Sequence, residues 1–482
     1  MNTYPPKSLF QSVDWFTIGL YVILVIAGWF SICGASYDFG TETLFESGSR
    51  PLTQLQWIGI SMIIIFIIMM LEYDLFDVFA FPLYGLIIAL LVVTIFVAPD
   101  VKGSHSWIVL GPIRLQPAEF AKFGTALMVS HVMSSYGFQL TQPRNFIKVL
   151  FIIFLPMICI LLQQETGSAL VYLAFFLMLY REGMSGYVLL SGVCAVVFFV
   201  IGMKYSGVTM GETPLGELLV ALMLIGISLW LIWWERRDKD AVRWISIIAI
   251  TAFVIAYIAS FFFAVNFALV AIGILVVEAI ILIVLSVRHW VWHYALIAFF
   301  AIVSMGFLFS VDYVFNNILE PHQQIRIKVS LGLEDDPSGA GYNVNQSKIA
   351  IGSGGLWGKG FLNGTQTKLK YVPEQETDFI FCTVGEEQGF VGATLVLILF
   401  ATLIIRLFIL AERQDGTFGR VYGYSVASIF LFHLVINIGM VTGLTPVIGI
   451  PLPFFSYGGS SLLGFTILLF IFLRIDASRR QR

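Results

Sequence analysis

Residues 421–473 read VYGYSVASIFLFHLVINIGMVTGLTPVIGIPLPFFSYGGSSLLGFTILLFIFL, 53 positions without one Asp, Glu, Lys or Arg. An apolar run of about 20 residues suffices to cross a bilayer as a helix. The stretch therefore predicts two spans, 421–442 and 460–474, and a connector between them. The connector, GLTPVIGIPLPFFSYGGSS (443–461), holds Pro446, Pro451, Pro453 and a glycine pair. It cannot be one continuous helix, yet it carries no charge, which predicts a re-entrant segment buried against other parts of the protein. Gly439 and Gly443 form a G-x-x-x-G pair, most simply a close helix contact. His433 has no second metal ligand three or four residues on and reads as a hydrogen-bonded core histidine.

The rest of the chain repeats this pattern. Of 482 residues, 58% are hydrophobic and 12% charged, against roughly 25% charged in soluble domains. Residues 15–33 and 78–98 are uncharged, and so are 244–277, which are too long for one span and divide near Asn266. The pattern predicts an all-α polytopic membrane protein with fourteen spans: 15–33, 56–71, 77–98, 118–134, 148–164, 166–181, 186–204, 217–234, 243–263, 267–287, 292–312, 379–405, 421–442 and 460–474. The first run is longer than a signal-peptide core and no small-residue cleavage site follows, so it reads as an anchor. Cys33, Cys159, Cys194 and Cys382 lie in or beside apolar segments without paired spacing, which gives no disulfide framework and no thiolate metal site. With both termini cytoplasmic, the inside segments hold 16 basic residues and the short outside loops only Arg50, Lys102, Arg114 and Lys204. That bias supports an even span count and places the long loop 313–378 outside.

Loop 313–378 is polar, charged and rich in glycine, and a long loop of this kind is usually functional. Within it Glu334, Asp335 and Asp336 are adjacent carboxylates, which suits a general base or a divalent cation site such as Mg or Mn. The following Pro337 and Gly339 are equally an ordinary turn signal. Gly352 to Gly360 interleave with Lys348 and Lys359, but the phosphate-loop pattern fails at Ser353 and Gly360, so no nucleotide is expected, and no haem. Backbone amides and lysines there could still approach an anionic headgroup. Glu119 and Lys122, one helical turn apart at the head of an apolar run, either neutralise each other or face a cavity. Glu165 lies between two spans without a basic neighbour, and Glu278 is alone in an apolar run. The irregular stretches 97–122, 163–168 and 443–461 fall on the same side as the long loop, which suggests one outward cavity.

The segments KGSHSWIVLGPIRLQPAEFAK, QQETGSALV, PHQQIRIKVSL, EEQGFVGA, GLTPVIGIPLPFFSYGGSS and the run from Asp335 to Phe381 resemble the SEDS family (shape, elongation, division and sporulation). The GKGF, GTQ and GIPLPFFSYGGSS wording is similar to its RodA-like branch rather than its FtsW-like one. The likeness spans about 10–185 and 292–478. It implies a ten-helix core with about four inserted helices: core 1–185, insert 186–290, core 291–482 with the catalytic periplasmic loop 313–378.

The resemblance implies a peptidoglycan glycosyltransferase of the bacterial inner membrane. Such an enzyme polymerises lipid II (an undecaprenyl-pyrophosphate-linked disaccharide peptide) during elongation, together with a class B penicillin-binding protein transpeptidase and other elongation proteins. No nucleic acid is expected. The family's essential loop aspartate falls on Asp336, its functional tryptophan on Trp107 and its cavity lysine on Lys122. Its Gln-Pro-Asp-Leu-Gly reads here as Gln163 to Gly167, with Glu165 for the aspartate and no proline. Asp336 is then the base that takes the acceptor hydroxyl proton. Arg326, Lys348 and Lys102 are candidates to stabilise the leaving pyrophosphate, and a divalent cation on Glu334, Asp335 and Asp336 could assist. Gln323, Ser456, Glu119 and Glu165 complete the candidate substrate-binding set. The rival readings are a lipid II flippase, which would need a polar cavity but no external acidic cluster, and a non-catalytic scaffold for the transpeptidase.

Overall fold

Pro51, Pro117 and Pro143 sit in the first turns of three helices, and the side chains of Asp14, Asp238 and Asn266 cap three more. The computed structural model describes residues 9–37, 46, 48–100, 103–111, 113–205, 207–317, 321–331, 333 and 340–479. In chain order the principal helices are α1 (Trp15–Ser36), α2 (Arg50–Met70), α3 (Ala80–Val97), α4 (Pro117–Ser134) and α5 (Pro143–Leu162). A broken segment follows, α6 (Thr166–Leu170), a 3₁₀ turn and α7 (Phe175–Arg181). Then come α8 (Gly186–Lys204), α9 (Leu215–Arg236), α10 (Lys239–Ala259), α11 (Phe267–His289), α12 (Trp292–Asn317), α13 (Pro321–Ser330), α14 (Ala340–Ser353), α15 (Ile380–Glu412), α16 (Thr417–Thr442) and α17 (Gly459–Arg479).

Among the described residues, twelve helices are long and apolar enough to cross a membrane. α4 and the broken segment 166–181 lie outside that count, the first because Glu119, Lys122, His131 and its serines lower its apolarity, the second because no piece of it is long enough. The polar stretch 313–378 is partly helical, containing the end of α12, α13 and α14. The division expected near Asn266 is real: its side chain accepts from the amides of Ala268 and Leu269 and caps α11.

The chain forms two compact units, one of residues 1–184 and 338–482, the other of residues 185–337. In the first, α17 lies at the centre, almost wholly buried, against α2 and α4. α16 packs on α4, α7 and α15, while α15 packs on α1 and α14. One end of this unit is ringed by ion pairs, Arg406 with Asp14, Arg413 with Asp476, Arg420 with Glu182 and Arg181 with Glu412, and by the hydrogen bond of His131 with Asp77. The opposite end carries the segments 103–111, 113–116, 163–165, 354–379 and 443–458.

In the second unit, α8 to α12 close around a core that includes Phe198, Leu224, Ile232 and Leu282. Asp238 caps α10 through the amides of Asp240 and Ala241, and Tyr294 donates to it at 2.6 Å. Glu278 is buried in α11 with neither carboxyl oxygen hydrogen-bonded among the described residues.

At the G-x-x-x-G pair, Gly443 meets Val344 and Lys348 of α14, the close helix contact that the spacing predicts. Gly443 is the left-handed cap that ends α16 (φ 76°), and a Cβ there would sit 2.5 Å from Lys348 Nζ. The glycine also stops the helix, a second role that spacing alone does not announce.

Candidate functional site

Pro117 opens α4 in the position where a missing N–H costs nothing. It places Glu119 in the first turn, where the helix dipole favours a carboxylate. Lys122 stands one turn further and donates to Glu119 Oε2 at 2.8 Å. Both residues are only 2% exposed. The same ammonium lies 3.2 Å from His433 Nε2 on α16 and 4.3 Å from the centroid of Phe465 on α17. His433 Nδ1 meets the Pro451 carbonyl of the connector at 3.1 Å. A lysine has donors only, so Nε2 is the acceptor and Nδ1–H donates to Pro451, which assigns the neutral tautomer from its partners. Four elements thus meet at one buried charge, and the connector 443–458 is fastened into the bundle as an uncharged segment must be.

Gln116, directly before α4, ties this cluster to a second. Its side-chain amide donates to Glu165 Oε1, and its backbone amide donates to Ser460 Oγ at 3.2 Å. Ser168 also donates to Glu165 Oε1, at 2.5 Å. Glu165 is half-buried as a residue, but its carboxylate is enclosed, and Oε2 has no hydrogen-bond partner among the described residues. Burial pushes this carboxyl above its ordinary range, with bonds from Ser168, Gln116 and Ser106 opposing the shift and the Glu119 charge adding to it. Gln163 donates to the Leu91 carbonyl at 2.9 Å and accepts the amide of His105 at 3.0 Å. That holds the segment in which Trp107, half-buried, precedes the hairpin Ile108–Leu110 with Ile113–Leu115.

The third part is the head of α15. Glu386 is fully buried and accepts from Lys359 Nζ at 2.7 Å, the amides of Gln366 and Thr367 at 2.8 and 2.9 Å, and Thr365 Oγ1 at 3.2 Å. Glu387 accepts the amide of Leu362 at 3.1 Å. One buried carboxylate therefore shapes the glycine-rich loop 354–368. Beyond it, Gln375 donates to the carbonyls of Ala35 and Thr367, and Arg50 pairs with Glu376.

The site residues expected from sequence divide accordingly. Trp107, Glu119, Lys122 and Glu165 occupy one end of the first unit. Ser456 is there too, but its hydroxyl is committed: it donates to the Thr377 carbonyl at 2.5 Å and accepts the Leu452 amide at 2.8 Å, which shapes the connector turn. Lys348 is exposed on α14. Lys102, Glu334, Asp335 and Asp336 lie outside the described residues, and the side chains of Gln323 and Arg326 on α13 do as well. Among the described residues no three His, Cys, Asp or Glu side chains converge as a metal site.

A family model described as cell cycle protein, covering FtsW, RodA and SpoVE, matches residues 14–211 and 217–481. The chain belongs to this family. The peptidoglycan glycosyltransferase RodA of Treponema pallidum is 30% identical over 92% of this chain and 93% of its own length. Stage V sporulation protein E of Bacillus subtilis is 26% identical over 98% of each chain. The peptidoglycan glycosyltransferase MrdB of Escherichia coli is 48% identical, but over only 32% of this chain. A chain from a peptidoglycan synthase complex superposes with a TM-score of 0.63 at 22% identity, covering 97% of this chain and 98% of that one. The rod shape determining protein RodA of Thermus thermophilus gives 0.54 at 20%, covering 97% of each. At these identities the structural likeness shows the fold, that of a helical SEDS membrane protein.

Within that FtsW/RodA/SpoVE fold, sequence reasoning missed two site residues. Glu386 had a visible signal, a carboxylate pair at the head of an apolar run with no basic neighbour. His433 as a partner of Lys122 had none, since 311 residues separate them.

Proposed function

We propose that the chain is a peptidoglycan glycosyltransferase that polymerises lipid II during cell elongation. The observation that carries this reading is the 30% identity, over nearly the full length of both chains, to a protein named peptidoglycan glycosyltransferase RodA. The buried Lys122, Glu119 and His433 beside Glu165 support it, because a polar cluster inside a helical bundle is expensive and its upkeep argues for use.

In this reading Asp336 takes the proton of the acceptor sugar hydroxyl as that oxygen attacks the anomeric carbon. The bond to the lipid pyrophosphate breaks, and Lys122 with Arg326, Lys348 and Lys102 stabilises the charge that develops there. Glu334, Asp335 and Asp336 are the residues that would hold a divalent cation, whose chemistry would be to neutralise the same charge. The polyprenyl tails stay in the bilayer. Both termini are cytoplasmic, the loop 313–378 is periplasmic, helices 186–290 are an insertion, and the partner is a class B penicillin-binding protein.

The test is purified protein with labelled lipid II, scored for glycan chains, beside Asp336→Asn, which keeps size and hydrogen bonding but cannot accept the proton. Chains from the native protein and none from the variant are expected. Translocation of lipid II without chains would instead make the protein a flippase, and near-normal chains from the variant would remove Asp336 from the mechanism.

A further inference from the structure

α15 breaks at Gly389, whose backbone (φ 67°, ψ −163°) is non-helical. The amides freed by the break do not face solvent. Phe390 N–H donates to the Gly355 carbonyl at 2.9 Å and Val391 N–H to the Leu356 carbonyl at 3.1 Å. In return Lys359 and Gly360 donate to the carbonyls of Glu386 and Glu387 at 3.0 and 2.9 Å. The loop 354–360 is thus stitched along the helix through the break. The approach is so close that a Cβ at Gly358 would lie 2.1 Å from the Glu387 carbonyl oxygen, and one at Gly389 2.3 Å from the Gly358 amide. This is a rigid turn, and it holds two large apolar side chains outward: Leu356 is 65% and Trp357 79% exposed.

The surroundings identify what covers them. Phe390, at the break, is also 65% exposed, and Leu395 and Ile398 continue the exposed apolar face down the membrane-spanning part of α15. Phe361, from the same loop, meets the exposed Phe30 of α1 edge-to-face at 5.7 Å. The patch is therefore continuous with the lipid-facing surface of two spans. Depth agrees. From Phe390 an α-helix at 1.5 Å per residue reaches the ring at about 24 Å for Arg406 and about 33 Å for Glu412, which brackets a hydrocarbon core of about 30 Å. The ion-paired ring marks the far boundary, so Phe390 marks the near one, and Leu356 and Trp357 are bonded to that level.

We infer that the Leu356–Trp357 turn is a membrane-surface anchor, seated at the boundary between headgroups and acyl chains. Tryptophan favours this zone because its ring is apolar and its N–H can stay wet. The anchor fixes the depth of the glycine-rich loop, with Lys359 and Glu386 held at headgroup level beside it. The inference does not depend on the reaction proposed above.

The test uses the full chain in lipid nanodiscs, with the four native cysteines, all buried, replaced. A bimane fluorophore is attached at Trp357→Cys, and in a second variant at Leu356→Cys. Asn363→Cys, exposed and polar in the same loop, is the control. Phospholipids brominated high on the acyl chain should quench the probes at 357 and 356 at least twofold more than the control, and aqueous iodide should quench the control more. Iodide quenching without bromolipid quenching at both test positions would overturn the anchor. Protection from both quenchers would overturn it too, since protein would then cover the turn.

Discussion

Lys122 Nζ lies 3.2 Å from His433 Nε2, and this contact fixes the hydrogen-bonding state of both residues. The imidazole accepts from the lysine and donates to Pro451, so it transmits the position of the connector to the ammonium. The two bonds can be separated. His433→Asn can keep a donor toward Pro451 but falls short of Lys122, whereas His433→Gln places an acceptor toward Lys122. Glycan polymerisation should fall at least about tenfold in the Asn variant, about 1.4 kcal/mol of transition-state stabilisation, and be partly restored in the Gln variant. Equal activities in the two would make the histidine a packing residue.

Lys122→Met alone strands the buried Glu119 carboxylate. Breaking a buried pair costs about 3–5 kcal/mol, so thermal stability in detergent should drop clearly. Glu119→Gln combined with Lys122→Met removes both charges and should recover most of that stability while glycan synthesis stays absent. An active double variant would reduce Lys122 to a structural partner.

Glu386→Ala leaves Lys359 and the amides of Gln366 and Thr367 without their acceptor. Because Lys359 is partly exposed, the loss should fall toward the lower end of about 3–5 kcal/mol. Limited proteolysis should reveal new cleavage within 354–371, with the spans still intact. An unchanged digestion pattern would show that the loop is held by other contacts.

Burial raises the Glu165 carboxyl above its value in the unfolded chain. The folded state then binds the proton more tightly, so stability is favoured by acid and declines as pH rises through the folded value. Glu165→Gln removes that titration. Its melting temperature relative to the native protein should increase from about pH 5 to about pH 8. A difference that is flat with pH would mean the carboxylate is compensated in some other way.

Topology follows from the asymmetry of basic residues. A cysteine at Ser338 should react with an impermeant reagent from outside intact cells, and one at Lys239 should react only after permeabilisation. The same response at both positions would make the span count wrong by one.

Much of the fold was legible because bilayer thickness imposes a length on apolar runs. The connector 443–458 was readable for a similar reason, since three prolines without charge leave few places to be. α4 was harder, because Glu119 and Lys122 lower its apolarity and only their mutual contact inside the bundle makes the helix tolerable. Gly443 shows the limit of motif spacing: it packs against α14 as the spacing predicts, but that it also ends α16 is seen only in the backbone angle. The contacts of Lys122 with His433 and of Gln116 with Glu165 join distant segments, and no local pattern announces them.

α17, the most enclosed of the described membrane helices, leaves the ribosome after the helices that pack around it. Every helix that surrounds it is made earlier and must wait in the membrane around an unfilled place. Asp14, which pairs with Arg406, waits through 392 residues of synthesis for its partner. A change near Arg474 or Asp476 would therefore act on several helices at once, by denying them the one they close around.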